Sequence, residues 1–304
     1  MSLPRISVIM PCLNQSAFVE RALCSVLDQG YENLELIVLD GGSDDGSVEL
    51  IRRYQSELAH FVTEEDRGPA DALNRGLARA TGEVVGFLNS DDVYLPGALH
   101  AAAGILGPSG GASWAVGQCL RIGPSDQPDG SLRAQAPKSL AAFLADAAGS
   151  LPWPASFFRK ALFTRHGRLD RRMQFAFDYE WECRLLAAGV RPVILRLALA
   201  ARREYDFSRT AQNLVEQGRE RIAAAQRYGE HLPLAQRYAL WRQCDRRERF
   251  YALAEAETQG REARRFLAPQ LLRRPWWMAD QALRHALLHG VEEPQPAALT
   301  RRAA

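Results

Sequence analysis

Acidic or polar residues recur in the first hundred residues just after short apolar runs. The run at 6–10 leads into Pro11-Cys12-Leu13-Asn14, and the run at 34–39 ends in Asp40. The run at 60–63 leads into Glu64-Glu65-Asp66-Arg67-Gly68, and the run at 83–88 into Asn89-Ser90-Asp91-Asp92. Hard divalent cations such as Mg²⁺ and Mn²⁺ take carboxylate oxygens, commonly one or two of them together with phosphate oxygens and water. Asp91 and Asp92, adjacent at the end of a run, could therefore hold a metal against a diphosphate. The plainer alternative is that Asp and Asn end strands and cap helices. Four such ends in order point instead to one polar rim.

The elements that would position this rim follow from periodicity. The apolar runs are β-branched and short, as buried strands are. Between them lie helical patterns at 15–28, from Gly46 onward with Asp44 or Asp45 as its cap, and at 69–80 with Pro69 in the first turn. Alternation of this kind predicts an α/β fold, a mostly parallel central sheet with helices on both faces. Ligands then sit at the carboxyl ends of the strands. No GxGxxG follows the first run and no GxxxxGK[ST] occurs, which excludes a dinucleotide fingerprint and a P-loop. Residues 112–122 are expected to form further strands, 123–138 a mobile Gly/Pro/Ser/Asp-rich loop, 151–158 an aromatic Pro-punctuated stretch and 178–189 a helix. Beyond Ser208 the pattern is helical, with breaks at 229–233, Gly260, Pro275 and Gly290.

The 304 residues carry a net charge of only +2, so no nucleic acid is expected as a partner. The charge is unevenly spread. From Arg202 onward 19 arginines face 13 acids, a net of +6, which leaves about −4 on the first 201 residues. The only lysines are Lys138 and Lys160. Five scattered cysteines without CxxC spacing argue against a disulfide framework and a zinc site and fit a reducing compartment. No signal peptide and no uninterrupted apolar run of spanning length is read, so a cytoplasmic protein is expected, or one held on the inner face of a membrane.

The stretches VIMPCLNQ, VLDGGSDDGS and EEDRGPADALNRGLARATGEVVGFLNSDD together resemble a family 2 glycosyltransferase, and LPWPASFFRKALFTRHGRLDRRMQFAFDYEWECRLLAAG resembles the acceptor half of the same family. The resemblance implies an inverting, metal-dependent enzyme of the glycosyltransferase A-type fold, with a UDP- or dTDP-sugar donor and Mn²⁺ or Mg²⁺. It implies that Asp40 bonds the base, which the Pro11 turn flanks. Asp66 and Arg67 would form a second nucleotide-contacting segment, and Asp71 and Asn74 would line the donor pocket. Asp92 would be the metal ligand, with Asp91 on ribose or metal; Asn89 stands where the family often has a first aspartate. Asp178 would be the general base for the attacking hydroxyl, unless it is only a helix N-cap. Trp153 is a candidate acceptor platform or a core residue. Relatives often carry a metal-reaching His where this chain has Tyr205, with Asp206 as a substitute ligand and Arg209 facing phosphates. The segment 123–138 or 203–210 is the candidate lid.

The expected organisation is a catalytic domain at 1–208, split into a donor half (1–100) and an acceptor half (101–208), and a helical extension at 209–304. The extension mixes arginine with bulky apolar groups, as in Leu271-Leu272-Arg273-Arg274-Pro275-Trp276-Trp277-Met278. It is either an interfacial surface for anionic membrane or a cap on the catalytic domain or on a second subunit of a homo-oligomer. The acceptor would be a glycan or lipid-linked hydroxyl in cell-surface polysaccharide or lipopolysaccharide synthesis. Two alternatives are an inactive nucleotide-sugar-binding protein, for which Asn89 and Tyr205 speak, and a sugar nucleotidyltransferase, which would need a Gly-rich basic loop where PCLNQ stands.

Overall fold

Strand β1 (Ile6–Cys12) is apolar apart from Ser7, whose hydroxyl donates to Glu35, because both of its faces are covered. It pairs in parallel with β2 (Leu34–Asp40) on one side and with β4 (Val84–Phe87) on the other, and β3 (His60–Thr63) pairs in parallel with β2 at the edge. The computed structural model describes residues 3–108, 110–146, 151–259 and 262–289. Its sheet runs in the order β3-β2-β1-β4-β8-β6-β9-β5, where β5 is Val93–Tyr94, β6 Trp114–Ile122, β8 Ser156–Arg159 and β9 Val193–Arg203. The order 3-2-1-4 reverses direction at β1, and that switch point opens a crevice at the carboxyl ends of the strands.

The expected strand–helix alternation is present. Helices α1 (Val19–Leu27), α2 (Ser47–Arg52), α3 (Pro69–Arg79) and α4 (Ala98–Leu106) follow their strands. The sheet is less parallel in its second half: β8 runs antiparallel to both β4 and β6, and β5 antiparallel to β9. Helix α1 buries Val19, Ala22, Leu23 and Val26 at helical spacing. The formal N-cap of α2 is Gly46 in the left-handed region, not Asp44 or Asp45, although Asp45 accepts the Ser47 N–H at 3.0 Å.

Residues 123–138 are not the open loop their composition suggests. They contain β7 (Pro128–Leu132), which pairs antiparallel with β6. The turn closes because Gly123 N–H reaches the Gln127 carbonyl at 2.8 Å, with Asp126 at φ +62°.

Two compact units emerge. One comprises 1–140 and 150–212, the other 141–149 and 213–304. In the second unit α5 (Leu140–Ala145) contributes buried Phe143 and Leu144, and Arg247 donates to the Ala145 carbonyl at 2.6 Å. Its other helices are α9 (Leu214–Gly229), α10 (Leu234–Gln259), α11 (Ala263–Arg273) and α12 (Gln281–His289). The breaks at 229–233 and Pro275 are present; those at Gly260 and Gly290 lie outside the described residues. In the first unit the short helices are α6 (Ala161–His166), α7 (Phe177–Ala187) and α8 (Arg209–Gln212). Among the described residues no helix is long and apolar enough to cross a membrane.

Helix α3 lies against β1 and β2 through a glycine. A Cβ on Gly76 would stand 2.4 Å from Ile9 Cγ2 and 3.0 Å from Leu39 Cδ2. Gly76→Ala is therefore expected to destabilise the protein by about 1–3 kcal/mol through overpacking, read as a lower urea midpoint at unchanged m-value.

Candidate active site

The parallel register sets Cys12, Asp40 and Thr63 side by side, so the loops after β1, β2 and β3 leave from one rim. The Asn89–Asp92 turn follows β4 at the same end, because β4 is parallel to β1.

Two of these loops are stitched together. Asn14, at φ +52°, donates its N–H to Ser43 Oγ at 2.8 Å, and its side-chain carbonyl accepts the Asp44 N–H at 3.0 Å. Gln15 N–H donates to Ser47 Oγ and Ser16 N–H to Asp45 Oδ2, both at 2.8 Å. Asp40 is 2% exposed and holds its own turn, accepting the Gly42 and Ser43 N–H groups and the Ser43 hydroxyl. Pro11 is half-buried at the end of β1. Burial pushes the Cys12 thiol up to about 11, so it is no nucleophile, and all five cysteines are free.

Asp66 accepts the Gly68 N–H at 2.7 Å, and burial raises its carboxyl above the ordinary value. Gly68 has φ +113°, a conformation in which a side chain is strained, and a Cβ there would also displace the Gln174 amide, 2.1 Å away. Gln174 in turn donates to the Arg67 carbonyl at 3.0 Å, and Arg209 donates to Gln174 Oε1 at 3.0 Å. Asp71 accepts from Arg171 at 3.2 Å. Asn74 is buried, and both ends of its amide pair with the Leu169 backbone, at 2.8 and 3.0 Å. Its amide therefore fastens α3 to the chain entering α7 and is not turned toward an open pocket.

Asp91 and Asp92 are arranged differently from each other. Asp92 is 1% exposed; one oxygen accepts the Arg203 N–H at 2.9 Å and the other the Asn89 amide at 3.2 Å. Asn89 thus supplies a donor where an aspartate would add a third negative charge. Asp91 accepts the Tyr205 hydroxyl at 3.1 Å, and that hydroxyl lies 3.4 Å from Gln15 Oε1. Burial raises both carboxyls; for Asp92 the neighbouring Asp91 charge adds to it. Burial and Asp91 also push the Tyr205 phenol upward, so it stays a donor.

The buried cation beside this pair forms no ion pair with it, although the charges of Arg203 and Arg202 offset part of the burial at Asp91. Arg203 sends its guanidinium to the carbonyls of Asp91, Gly123 and Pro124 and to Asp126 Oδ1, and stacks over Phe18 at 4.6 Å. It thereby fixes the β6–β7 turn, so the tip of the segment expected to act as a lid is pinned. Asp206 is exposed. Sequence reasoning missed Arg203 and Gln15, because their partners lie 77 to 190 residues away.

Asp178 is the second residue of α7, whose N-cap is Ala176; it is not the cap itself. Its carboxylate accepts the Tyr179 N–H at 2.7 Å. Trp153 is 6% exposed and stacks on Phe87 at 5.0 Å and 10°, with Phe177 edge-on at 5.8 Å. Its ring is in the core, where it seats the first residue of α7 against the last residue of β4. A sugar has no exposed face to stack on there.

No group of three or more His, Cys, Asp or Glu side chains that could hold a metal occurs among the described residues. Asp91 and Asp92 offer an all-oxygen donor set whose charges burial leaves unpaired. That suits a hard divalent cation that completes its shell with phosphate oxygens and water.

A family model for glycosyl transferase family 2 matches residues 7–142. An uncharacterized glycosyltransferase of Mycobacterium tuberculosis is 33% identical over 202 residues, covering 65% of this chain and 74% of the relative. The chain belongs to glycosyltransferase family 2. Against several other curated relatives of the family the match covers only 31 to 38% of their length. The S. aureus TarS 1–349 structure in complex with UDP-GlcNAc superposes with a TM-score of 0.63 at 17% identity, covering 92% of this chain and 88% of that one. The mannosyltransferase PcManGT of Pyrobaculum calidifontis, in complex with GDP-Man and Mn²⁺, gives 0.57 at 23% identity, covering 94% and 84%. The fold of this family 2 member is the glycosyltransferase A type, as the sequence motifs implied.

The stitched loops carry a pH signature. Burial raises the Asp45 carboxyl, but hydrogen bonds from Ser47 and Ser16 outweigh it and hold the group at about 2. A depressed carboxyl stabilises the fold above its ordinary value near 3.8 and loses that contribution as pH falls through about 2. Asp45 is exposed, so screening keeps the effect below about 1 kcal/mol. Asp45→Asn should be less stable than the parent at pH 6 in urea titrations, and the gap should close toward pH 2.

Proposed function

We propose that the first unit transfers a sugar, with inversion, from a UDP- or dTDP-sugar to a hydroxyl of a glycan or lipid-linked acceptor. The observation that carries this reading is the Asp91–Asp92 pair. Two adjacent carboxylates, Asp92 buried and Asp91 partly so, stand at the carboxyl end of β4, and the Arg203 guanidinium beside them is bonded to Asp126 and backbone carbonyls. Such a pair is costly unless a ligand brings positive charge. Asp91 and Asp92 would hold Mn²⁺ or Mg²⁺. When bound, that ion would neutralise the departing nucleoside diphosphate, so no second acid is needed for the leaving group.

The chain's own residues do the rest. Asp40, fixed by its turn, presents its remaining lone pairs beside Pro11 for the base. Asp66 and Arg67 flank the nucleotide at the start of α3, and Asp71 with Asn74 keeps that segment in place. Tyr205 orients Asp91 by its hydroxyl, filling the position where relatives often have histidine. Asp178, carried by the first turn of α7, takes the acceptor hydroxyl's proton as the hydroxyl attacks the anomeric carbon. The solved structures of the same fold support this reading by their ligands, UDP-GlcNAc in one and GDP-Man with Mn²⁺ in the other.

Thermal shift with UDP, dTDP, GDP and CDP sugars, with and without Mn²⁺, tests the donor half. UDP or dTDP compounds with Mn²⁺ should stabilise the protein by roughly 2.7 kcal/mol at a hundred times the dissociation constant. Asp91→Asn and Asp92→Asn should abolish the Mn²⁺-dependent shift, and no shift with any nucleotide sinks the reading. Asp178→Asn should keep donor binding and lower transfer by about 10²–10⁴-fold. Donor binding without turnover across an acceptor panel would reduce the protein to a nucleotide-sugar binder.

A further inference from the structure

The second unit has a well-packed interior. Ala252, Ala256, Ala263, Leu267, Leu271, Trp277, Leu283 and Ala286 form one buried cluster. Asp245 on α10 accepts both the Trp276 and the Trp277 indole N–H, at 2.9 and 2.8 Å. Trp277 is fully buried, whereas Trp276 is 48% exposed. The exposed indole is thus held in a fixed orientation by the same carboxylate that anchors the core one. Beside it stands Trp241, 45% exposed, with ring centroids 6.2 Å apart and planes inclined at 53°.

These two rings form one wall of an open cavity of about 470 Å³, completed by Gln270, Arg273 and Arg274. A second cavity of about 240 Å³ adjoins it through Gln270 and Arg274 and reaches Arg219, with Glu248, the ion-pair partner of Arg274, also in its lining. Arg274 is engaged with Glu248 and lies over Trp277 at 4.6 Å. The exposed Arg273 guanidinium has no ion pair among the described residues.

We propose that this groove binds an acidic oligosaccharide. The inference rests on the transferase reading for its biological sense, but not for its chemistry. The Trp276 indole, held by Asp245, and the Trp241 ring, backed by Tyr238 at 5.9 Å, suit the C–H faces of sugar rings. Their 53° inclination does not make the parallel clamp that would grip a flat base. A free guanidinium reads a carboxylate or phosphate through two parallel hydrogen bonds, and Gln270 offers amide groups for hydroxyls. Concavity favours a chain of sugars over a planar lipid surface.

Calorimetry on the full chain with a galacturonic-acid oligosaccharide, a neutral gluco-oligosaccharide, UDP, and phosphatidylglycerol vesicles tests this. The acidic oligosaccharide should bind, and the neutral one more weakly. Trp276→Ala and Arg273→Gln should each weaken the acidic ligand by about tenfold, while donor-sugar hydrolysis is unchanged. Arg273 is exposed, so its variant reads the site even if Trp276→Ala disturbs packing. No saccharide binding, or binding unaffected by both variants, overturns the proposal. Binding of vesicles but not saccharide would assign the patch to a membrane, and a UDP equivalent lost in these variants would assign it to a nucleotide. If Asp91→Asn leaves transfer intact while Arg273→Gln still weakens the saccharide, the catalytic reading falls and the groove stands.

Discussion

Keeping two carboxylates side by side, Asp92 buried and Asp91 partly so, is the constraint on which the first unit turns. Ionised groups at Asp91 and Asp92 lose hydration and repel each other. The protein does not answer with a salt bridge. It surrounds Asp92 with two neutral N–H donors, gives Asp91 a phenol, and directs the one buried guanidinium to carbonyls and to Asp126. A salt bridge would satisfy the pair permanently. Neutral donors fix its geometry and leave its charge available.

The surrounding rim is built to hold that geometry still. Serine hydroxyls and the Asp45 carboxylate join the loops after β1 and β2. Asn74 joins α3 to the segment before α7, and Gln174 fills the space that Gly68 leaves open. Trp153, between Phe87 and Phe177, ties the end of β4 to the start of α7. Residues that look like ligand contacts by type therefore divide into two sets. Asp91 and Asp66 each accept a single hydrogen bond among the described residues, whereas Asn74 and Trp153 are used up in holding the others.

The helical unit solves a different problem with a similar device. One carboxylate, Asp245, satisfies two indoles that packing alone would leave with costly N–H groups. Because one of the two rings is exposed, the arrangement that completes the core also fixes a surface feature. Arginine supplies nearly all of the positive charge, and its planar fork needs oriented oxygen partners more than a lysine ammonium does.

The sequence by itself determined the strands, the helices between them and the polar rim, because apolar period and turn residues are local properties. The order of motifs also carried the family and, with it, the fold. What the sequence could not decide was how each polar side chain is spent. The β7 hairpin hid inside a Gly/Pro-rich segment because its pairing partner is a strand, not a neighbour in the pattern. Trp153 read equally as platform or core, and only the stacking of Phe87 and Phe177 chose core. Arg203 opens the segment 203–210 that the sequence marked as a candidate lid, but its role was not legible there, since it acts through backbone carbonyls and Asp126, far off in the chain. Burial and hydrogen-bond pairing are set by contacts between distant segments, and those exist only once the tertiary structure has formed.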